Sequence, residues 1–184
     1  MGTTLNTEKI TGDNFVNTGA LYFEGTLSGS ACCVGGVVGH SNKTGVIFTN
    51  MTNIGNITVT KGIAKAYIGG IKGYSVDVIG DGAKVYCDIF AKGFANVGMA
   101  IGRTLANGAF VKNCQVGGKI ATTESEKKTW DDDAEDYIVA VTPDWTELND
   151  TNYFNYIYSG ATDWTGVEGY DGCSWLSEKP TVSE

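Results

Sequence analysis

The densest set of possible metal ligands in this sequence is a short acidic stretch. Its five carboxylates fall within six residues: Asp131, Asp132, Asp133, Glu135 and Asp136. Calcium takes about six to eight oxygen ligands, so Asp131, Asp133 and Asp136 are candidate calcium ligands. The stretch lacks the Asp-x-Asp-x-Asp-Gly spacing of a dedicated calcium loop, and adjacent side chains of an extended chain point apart. A solvated loop with no cofactor is therefore preferred, and calcium is the alternative.

A second candidate site is a group of aromatic residues near the C-terminus. Aromatic rings offer flat apolar faces that stack on sugar rings or on a partner protein. Trp145, Trp164 and Tyr170 are the candidate ligand-binding residues, and the possible ligands are a glycan or a surface protein. The alternative is that these rings cover the end of the core. Complete burial of Trp145 and Trp164 would exclude the binding interpretation.

The sequence offers little for catalysis. His40 is the only histidine, and a pair with Ser41 would need an orienting acid that the spacing does not identify. A polysaccharide lyase or hydrolase would need paired carboxylates. Asp77, Asp81 and Asp88 are available, but the related segments offer no acidic equivalents. We therefore predict no enzyme, with a carbohydrate-active enzyme as the alternative.

Five cysteines, an odd number, are spaced neither as metal ligands nor as a disulfide framework. Cys32 and Cys33 are adjacent in strand-like sequence, so their side chains are expected on opposite faces. Cys87 and Cys114 are expected in neighbouring repeats, where a disulfide is possible. Buried thiols that fill the core are preferred.

The elements that position these residues follow from an internal repeat. VGGVVGHS (34–41) recurs as IGGIKGYS (68–75) and, degraded, as VGMAIGRT (97–104). A second block follows each copy, at residues 45–59, 82–95 and 108–121. Aligning its apolar residues predicts a ladder through Leu21, Met51, Cys87 and Cys114, with a two-residue insertion after Cys87. Gly35-Gly36 and Gly69-Gly70 are expected at corners that need a positive φ or no Cβ.

Within each repeat, short alternating or clustered runs of β-branched and aromatic residues are separated by glycine, which is typical of short strands. One such unit cannot bury its apolar side chains alone, whereas stacked units cover each other. We therefore predict an all-β fold, a right-handed parallel β-helix (β-solenoid) of about four coils.

The repeat motifs resemble a known family. The pattern of VGGVVGHS with NMTNIGNI, of IGGIKGYS, and of VGMAIGRT with KNCQVGGKI is similar to the GLUG-type repeats of bacterial surface proteins. The resemblance covers about residues 15–121 and is closest to secreted or lipid-anchored proteins of gut Bacteroidota. It implies an adhesin-like, β-helical protein and supplies no catalytic residues. Met99 and Ala100 depart from the motif, as does the missing Asn before Cys87.

The composition changes sharply near residue 129. Residues 1–129 carry 12 basic and 8 acidic side chains, whereas residues 130–184 carry 1 and 13. All four tryptophans lie in the second part: Trp130, Trp145, Trp164 and Trp175. We therefore divide the chain into a repeat region, 1–129, and an acidic aromatic cap, 130–184, packed on the end of the helix. Strands are expected at 137–141 and 152–160 within the cap, after a polar bridge at 125–136.

Charge and hydropathy exclude several classes of partner. The 184 residues carry a net charge of −8, which disfavours nucleic acid. No apolar run approaches the roughly 20 residues of a membrane-spanning helix. Met1-Gly2 opens a polar segment without a signal pattern, so we expect a mature or excised part of a larger chain.

Together these features predict a non-catalytic, extracellular or outer-membrane surface module that presents a rigid face for glycan or protein binding. A structural spacer within a larger surface protein is the further alternative.

Overall fold

The computed structural model describes residues 3–4, 10–24, 32–41, 46–61, 66–75, 80–94, 96–104, 111–158 and 172–182. Within these ranges the chain is all-β, and most of its strands pair in parallel. The only helix there is a single 3-10 turn, Tyr153–Tyr156. Among the described residues, therefore, no helix has the length and apolar character needed to cross a membrane.

The described strands, in chain order, are β1 (Thr3–Thr4), β2 (Ile10–Asp13), β3 (Val16–Asn17), β4 (Leu21–Glu24), β5 (Cys32–Gly35), β6 (Val38–Ser41), β7 (Val46–Thr49), β8 (Thr52–Asn53), β9 (Ile57–Lys61), β10 (Ala66–Gly69), β11 (Lys72–Ser75), β12 (Gly80–Asp81), β13 (Lys84–Ala91), β14 (Asn96–Gly98), β15 (Ile101–Thr104), β16 (Val111–Lys112), β17 (Gln115–Ala121), β18 (Glu124–Asp131), β19 (Asp136–Pro143), β20 (Thr146–Glu147) and β21 (Ser174–Trp175). We call β2–β17 the repeat body and Glu124–Pro143, which contains β18 and β19, the hairpin.

The first block of each repeat forms two parallel sheets, β5-β10-β14 and β1-β6-β11-β15. Gly69 is in register with Gly35 on one side and with Gly98 on the other. In the second sheet, Tyr74 is in register with both His40 and Arg103. These registers confirm the alignment of the three glycine-bearing motifs.

The second block forms the largest sheet, in which β3, β8, β13 and β17 are parallel neighbours and β4 and β9 continue the same pairing. Two smaller parallel sheets, β2-β7 and β12-β16, pair the strands that precede this block. Along β13 the side chains alternate, so that Val85, Cys87 and Ile89 face the core. Parallel strands from segments about 32 residues apart therefore hold the chain together.

The predicted ladder through Leu21, Met51, Cys87 and Cys114 is wrong at Leu21 and Cys87. Met51 and Cys114 do occupy equivalent positions, because each lies one residue before a residue aligned with Lys84. Leu21 is in register with Ile57, Ile89 and Ile120. Cys87 is in register with Gly118, and Cys114 lies one residue before Gln115, which is in register with Lys84. The offset between β13 and β17 is constant along their paired length, so the predicted two-residue insertion after Cys87 is also absent. The alignment failed because it matched cysteine with cysteine, whereas Ala83 is the residue equivalent to Cys114.

A column of left-handed residues marks the correct register. Positive φ angles occur at one turn position of successive repeats: Asn14, Asn50, Gly82, Asn113 and Gly172. Asparagine and glycine tolerate this conformation better than other residues. A Cβ at Gly82 would approach the side chain of Asn50. The side-chain amides of Asn50 and Asn113 donate hydrogen bonds to the carboxylates of Asp13 and Asp81, each in the preceding repeat.

The paired glycines are needed for space rather than for an unusual φ. A Cβ on Gly36 would overlap the carbonyl oxygen of Gly70 and the amide of Asn53, and neither glycine has a positive φ. Asn53 is itself fully buried, and its oxygen accepts hydrogen bonds from Asn17 Nδ2 (2.7 Å) and from the Gly55 backbone N–H (3.3 Å). The corner thus combines close backbone approach with a satisfied buried amide.

The C-terminal residues pair with the last repeat. The Ser174 N–H donates to the Cys114 carbonyl (3.0 Å), and the Ala100 N–H donates to the Ile157 carbonyl (2.9 Å). The strand predicted at 152–160 is wrong for its described residues, because Tyr153–Tyr156 is a 3-10 turn. Asn149 Oδ1 accepts hydrogen bonds from the Thr151 and Asn152 N–H groups, and such local bonds favour a turn over a strand.

The acidic stretch lies in the hairpin rather than in a bridge. β18 and β19 pair antiparallel over eight residues. Glu124 is opposite Pro143 at the open end, and Asp131 is opposite Asp136 at the turn. This confirms the strand predicted at 137–141 and places residues 132–135 in the turn. Successive residues of β19 lie alternately on its two faces, and the apolar residues on both faces are exposed.

Candidate functional site

A cleft lies on the outer face of β13 and β17, next to the C-terminal segment that pairs with β17. Tyr86 and Asp88 point outward because they alternate with the buried Val85, Cys87 and Ile89. The register places Tyr86 beside Gly117 and Asp88 beside Lys119. On the far side, β21 pairs with β17 and brings Trp175 next to Val116.

The shape of the cleft depends on Gly117. A Cβ at this position would overlap the carbonyl oxygen of Leu176 and the ring of Tyr86. The Leu176 N–H also donates to the Val116 carbonyl, at 2.9 Å. Because Gly117 has no side chain, the Tyr86 ring lies against the strand and the C-terminal segment approaches closely.

Charged groups of both signs line the same cleft. Lys119 Nζ lies 3.4 Å from Asp88 Oδ2 and 4.8 Å from the centroid of the Trp145 ring. Glu147 is paired with Lys119 across the antiparallel strands β17 and β20. The Lys119 and Asp88 side chains are each about one-third exposed, so their hydrogen-bonding atoms remain open to a ligand.

The cleft has a volume of about 310 Å³. Its lining groups include one aromatic ring, two carboxylates and one amine: Tyr86, Asp88, Glu147 and Lys119. Trp175 also borders the cleft, but it is in register with the buried Val116 and packs against the core. Aromatic rings supply flat apolar contact, and convergent charged groups supply directional hydrogen bonds. A polar ligand with both apolar and hydroxyl-bearing faces fits this chemistry.

The predicted aromatic residues have different outcomes. Trp145 is half-buried, and its ring packs against Phe90 (6.2 Å between centroids) and beneath Lys119. It therefore supports one wall of the cleft and is not fully enclosed. Trp164 and Tyr170 lie outside the described residues, and the interpretation of these two as binding residues stays a prediction.

The predicted calcium ligands lie at the hairpin turn. Asp131 Oδ1 accepts hydrogen bonds from the backbone N–H groups of Asp133 (2.9 Å) and Ala134 (3.2 Å). Asp136 Oδ1 accepts one from the Tyr137 N–H (2.6 Å). Over the described ranges, no three acidic, histidine or cysteine side chains are grouped so as to hold a metal ion. These carboxylates bond the turn backbone in the structure.

The other polar candidates are dispersed. Asp81 bonds Asn113, Asp88 lies in the cleft, and Asp77 falls outside the described residues. His40 lies in β6 with its ring edge-on to Tyr74, at 4.9 Å between centroids. Arg103, one strand further, donates to the Tyr67 hydroxyl at 2.8 Å. Burial lowers the pKa of His40, which favours its neutral form.

None of the five cysteines, all of which lie in described ranges, is in a disulfide. Cys87 and Cys114 are buried, as predicted. Burial raises the pKa of the Cys33 thiol to about 11 and that of Cys87 to about 12, and it raises the pKa of Cys114 as well. All three thiols are therefore protonated at neutral pH; Cys87 and Cys114 lie in the core, and Cys33 is partly exposed.

The sequence does not single out Tyr86, Lys119 and Glu147 as members of one site. Two signals were available: the outward alternation of Tyr86 and Asp88, and the small residue Gly117 beside Tyr86 in the corrected register. No local pattern indicates that Trp175, 59 residues after Val116, lies in a strand that pairs with β17.

Comparison of the chain with protein-family models, curated proteins and solved structures finds no significant match.

Proposed function

We propose that this chain is a non-catalytic glycan-binding module of a bacterial surface or secreted protein, built as a right-handed parallel β-helix of the GLUG-repeat type. The parallel pairing of each repeat with the next, in the register of its glycine motifs, supports the β-helical part. A stacked scaffold of this kind holds outward side chains at fixed spacing, which suits a rigid binding face.

The cleft carries the glycan-binding part of the proposal. Tyr86 supplies a ring face for the apolar side of a pyranose, while Asp88, Glu147 and Lys119 supply acceptors and a donor for its hydroxyl groups. The Asp88–Lys119 pair, which spans 3.4 Å, presets the orientation of both groups before a ligand arrives. Preorganisation of this kind reduces the entropy cost of binding.

A glycan array followed by calorimetric titration of the best oligosaccharide tests the proposal. Tyr86→Ala should weaken binding by about five- to tenfold, because stacking on an aromatic ring contributes roughly 1–1.5 kcal/mol. Tyr137→Ala, which removes a tyrosine of the exposed hairpin, is the matched control and should leave binding unchanged. Glu147→Gln removes a charge without opening the core, and it serves if Tyr86→Ala lowers the melting temperature.

Binding that survives both Tyr86→Ala and Glu147→Gln would reject the cleft as the site. If no glycan on the array binds, glycan binding would be rejected and a spacer role favoured.

A carbohydrate-active enzyme is the second candidate, because one observation favours it: two carboxylates, Asp88 and Glu147, line the same cleft. Glycoside hydrolysis uses such a pair. Release of reducing ends from a bound polysaccharide, abolished in both Asp88→Asn and Glu147→Gln, would establish this activity. Binding without release supports the non-catalytic proposal.

A further inference from the structure

The hairpin exposes an apolar strand that no described element covers. Four of its β19 side chains are between 50% and 58% exposed: Tyr137, Ile138, Val139 and Val141. On β18, Trp130 is also 50% exposed and meets Tyr137 edge-on, at 5.1 Å between ring centroids. Exposed side chains of this size and number on one short strand indicate an interaction surface.

The free edge of β19 strengthens this indication. Among the described strands, β19 pairs only with β18, so its other edge presents backbone N–H and C=O groups to solvent. Between Tyr137 and Thr142 this strand has no charge, no proline and no bulge, which are the usual protections of an exposed edge. A hairpin of two strands alone is also only marginally stable, and further strands would stabilise it.

We propose that β19 pairs antiparallel with β19 of a second copy of this chain, which joins two hairpins into a four-stranded sheet. A two-fold axis through Val139 places Val139 opposite Val139 of the other copy, Ile138 opposite Ala140 and Tyr137 opposite Val141. Every opposed pair within this span is then neutral. Both free edges are satisfied by the same contact, and the closed symmetry stops further addition.

The distribution of charge selects this antiparallel arrangement. The hairpin turn is strongly acidic, with five carboxylates at Asp131, Asp132, Asp133, Glu135 and Asp136. Parallel pairing would place the two acidic turns side by side. Antiparallel pairing about Val139 separates Asp136 of one copy from Asp136 of the other by about six residues, or about 20 Å at about 3.4 Å per residue. That distance exceeds the screening length of about 8 Å at physiological salt, so repulsion between the turns is small.

The proposal does not depend on the cleft and is tested by the mass of the full chain in solution. Light scattering after size-exclusion chromatography, from about 1 µM to about 1 mM protein, should move from the monomer mass of 19.5 kDa towards twice that value. Val139→Lys places two like charges at the centre of the contact and should keep the chain monomeric across this range. Thr129→Lys adds the same charge on the other strand of the hairpin and should still form the dimer.

Amide exchange on β19 provides a second readout if Val139→Lys disturbs the hairpin. In the unaltered chain, exchange of the β19 amides should slow as the concentration rises, while exchange in β13 stays constant. A chain that stays at the monomer mass up to about 1 mM, a dimer unaffected by Val139→Lys, or open-ended larger species would each overturn the proposal.

Discussion

The repeat body and the hairpin are both built from β-branched strands, yet they bury them in opposite ways. In β13, Val85, Cys87 and Ile89 are almost fully enclosed by the strands of neighbouring repeats. In β19, Ile138 and Val139 keep about half of their surface in contact with solvent. Strand propensity is thus alike in the two regions, and what differs is whether another segment returns to cover the strand.

This difference is largest in the free energy of unfolding. Ile89→Ala should lower it by about 2–5 kcal/mol, because the truncation leaves a cavity in a packed core. Ile138→Ala, the same truncation in the hairpin, should change it by about 0.5 kcal/mol or less. Urea unfolding of both variants at low micromolar concentration measures the two effects. Equal losses would show that the hairpin is buried in the monomer or that Ile89 is not.

The same contrast explains how much could be predicted from the sequence. The registers of β5, β10 and β14 followed from the repeat because glycines recur at positions where a Cβ does not fit, such as Gly36 and Gly70. The register of the second block could not be predicted in the same way. The residues that mark it are left-handed turn residues, Asn50, Gly82 and Asn113, and an alignment of apolar residues does not detect them.

The cleft could be predicted even less. It forms where Tyr86 of β13 lies near Leu176, which reaches this face only because β21 pairs with β17. Pairing over such a separation depends on the tertiary fold and leaves no local signal. Burial likewise depends on which other segments pack against a strand. The sequence of residues 137–141 therefore predicted a strand without indicating that both of its faces are exposed.

Alkaline pH should weaken the repeat body through its buried thiols. The folded-state pKa of Cys87, about 12, lies above the ordinary value of 9.0, so its stabilising contribution is complete below about pH 9 and is lost as pH rises towards 12. Between about pH 9.5 and 10.5 the free energy of unfolding should fall by about 1 kcal/mol more in the unaltered chain than in Cys87→Ala. Urea titrations at several pH values measure both slopes, and identical slopes would mean that this thiol is accessible to solvent.

A smaller, local effect is expected at the hairpin turn. Glu135 has a φ of 50°, and replacing it with glycine removes a strain of about 1 kcal/mol, partly offset by the greater freedom of glycine in the unfolded chain. Glu135→Gly should slow amide exchange in β18 and β19 by a few-fold and leave the urea midpoint unchanged. Glu135→Gln removes the charge but keeps the strain and should not slow exchange. A shift of the midpoint without slower hairpin exchange would contradict the separation of the two regions.

The pairing of successive repeats is tested most directly by proton–proton distances in an isotope-labelled sample. Nuclear Overhauser effects between backbone protons should connect Ile57 with Ile89 and Ile89 with Ile120, in the pattern of parallel neighbours. Antiparallel connectivities between these strands, or connections of Cys87 to Cys114 in the register of the apolar alignment, would contradict the account.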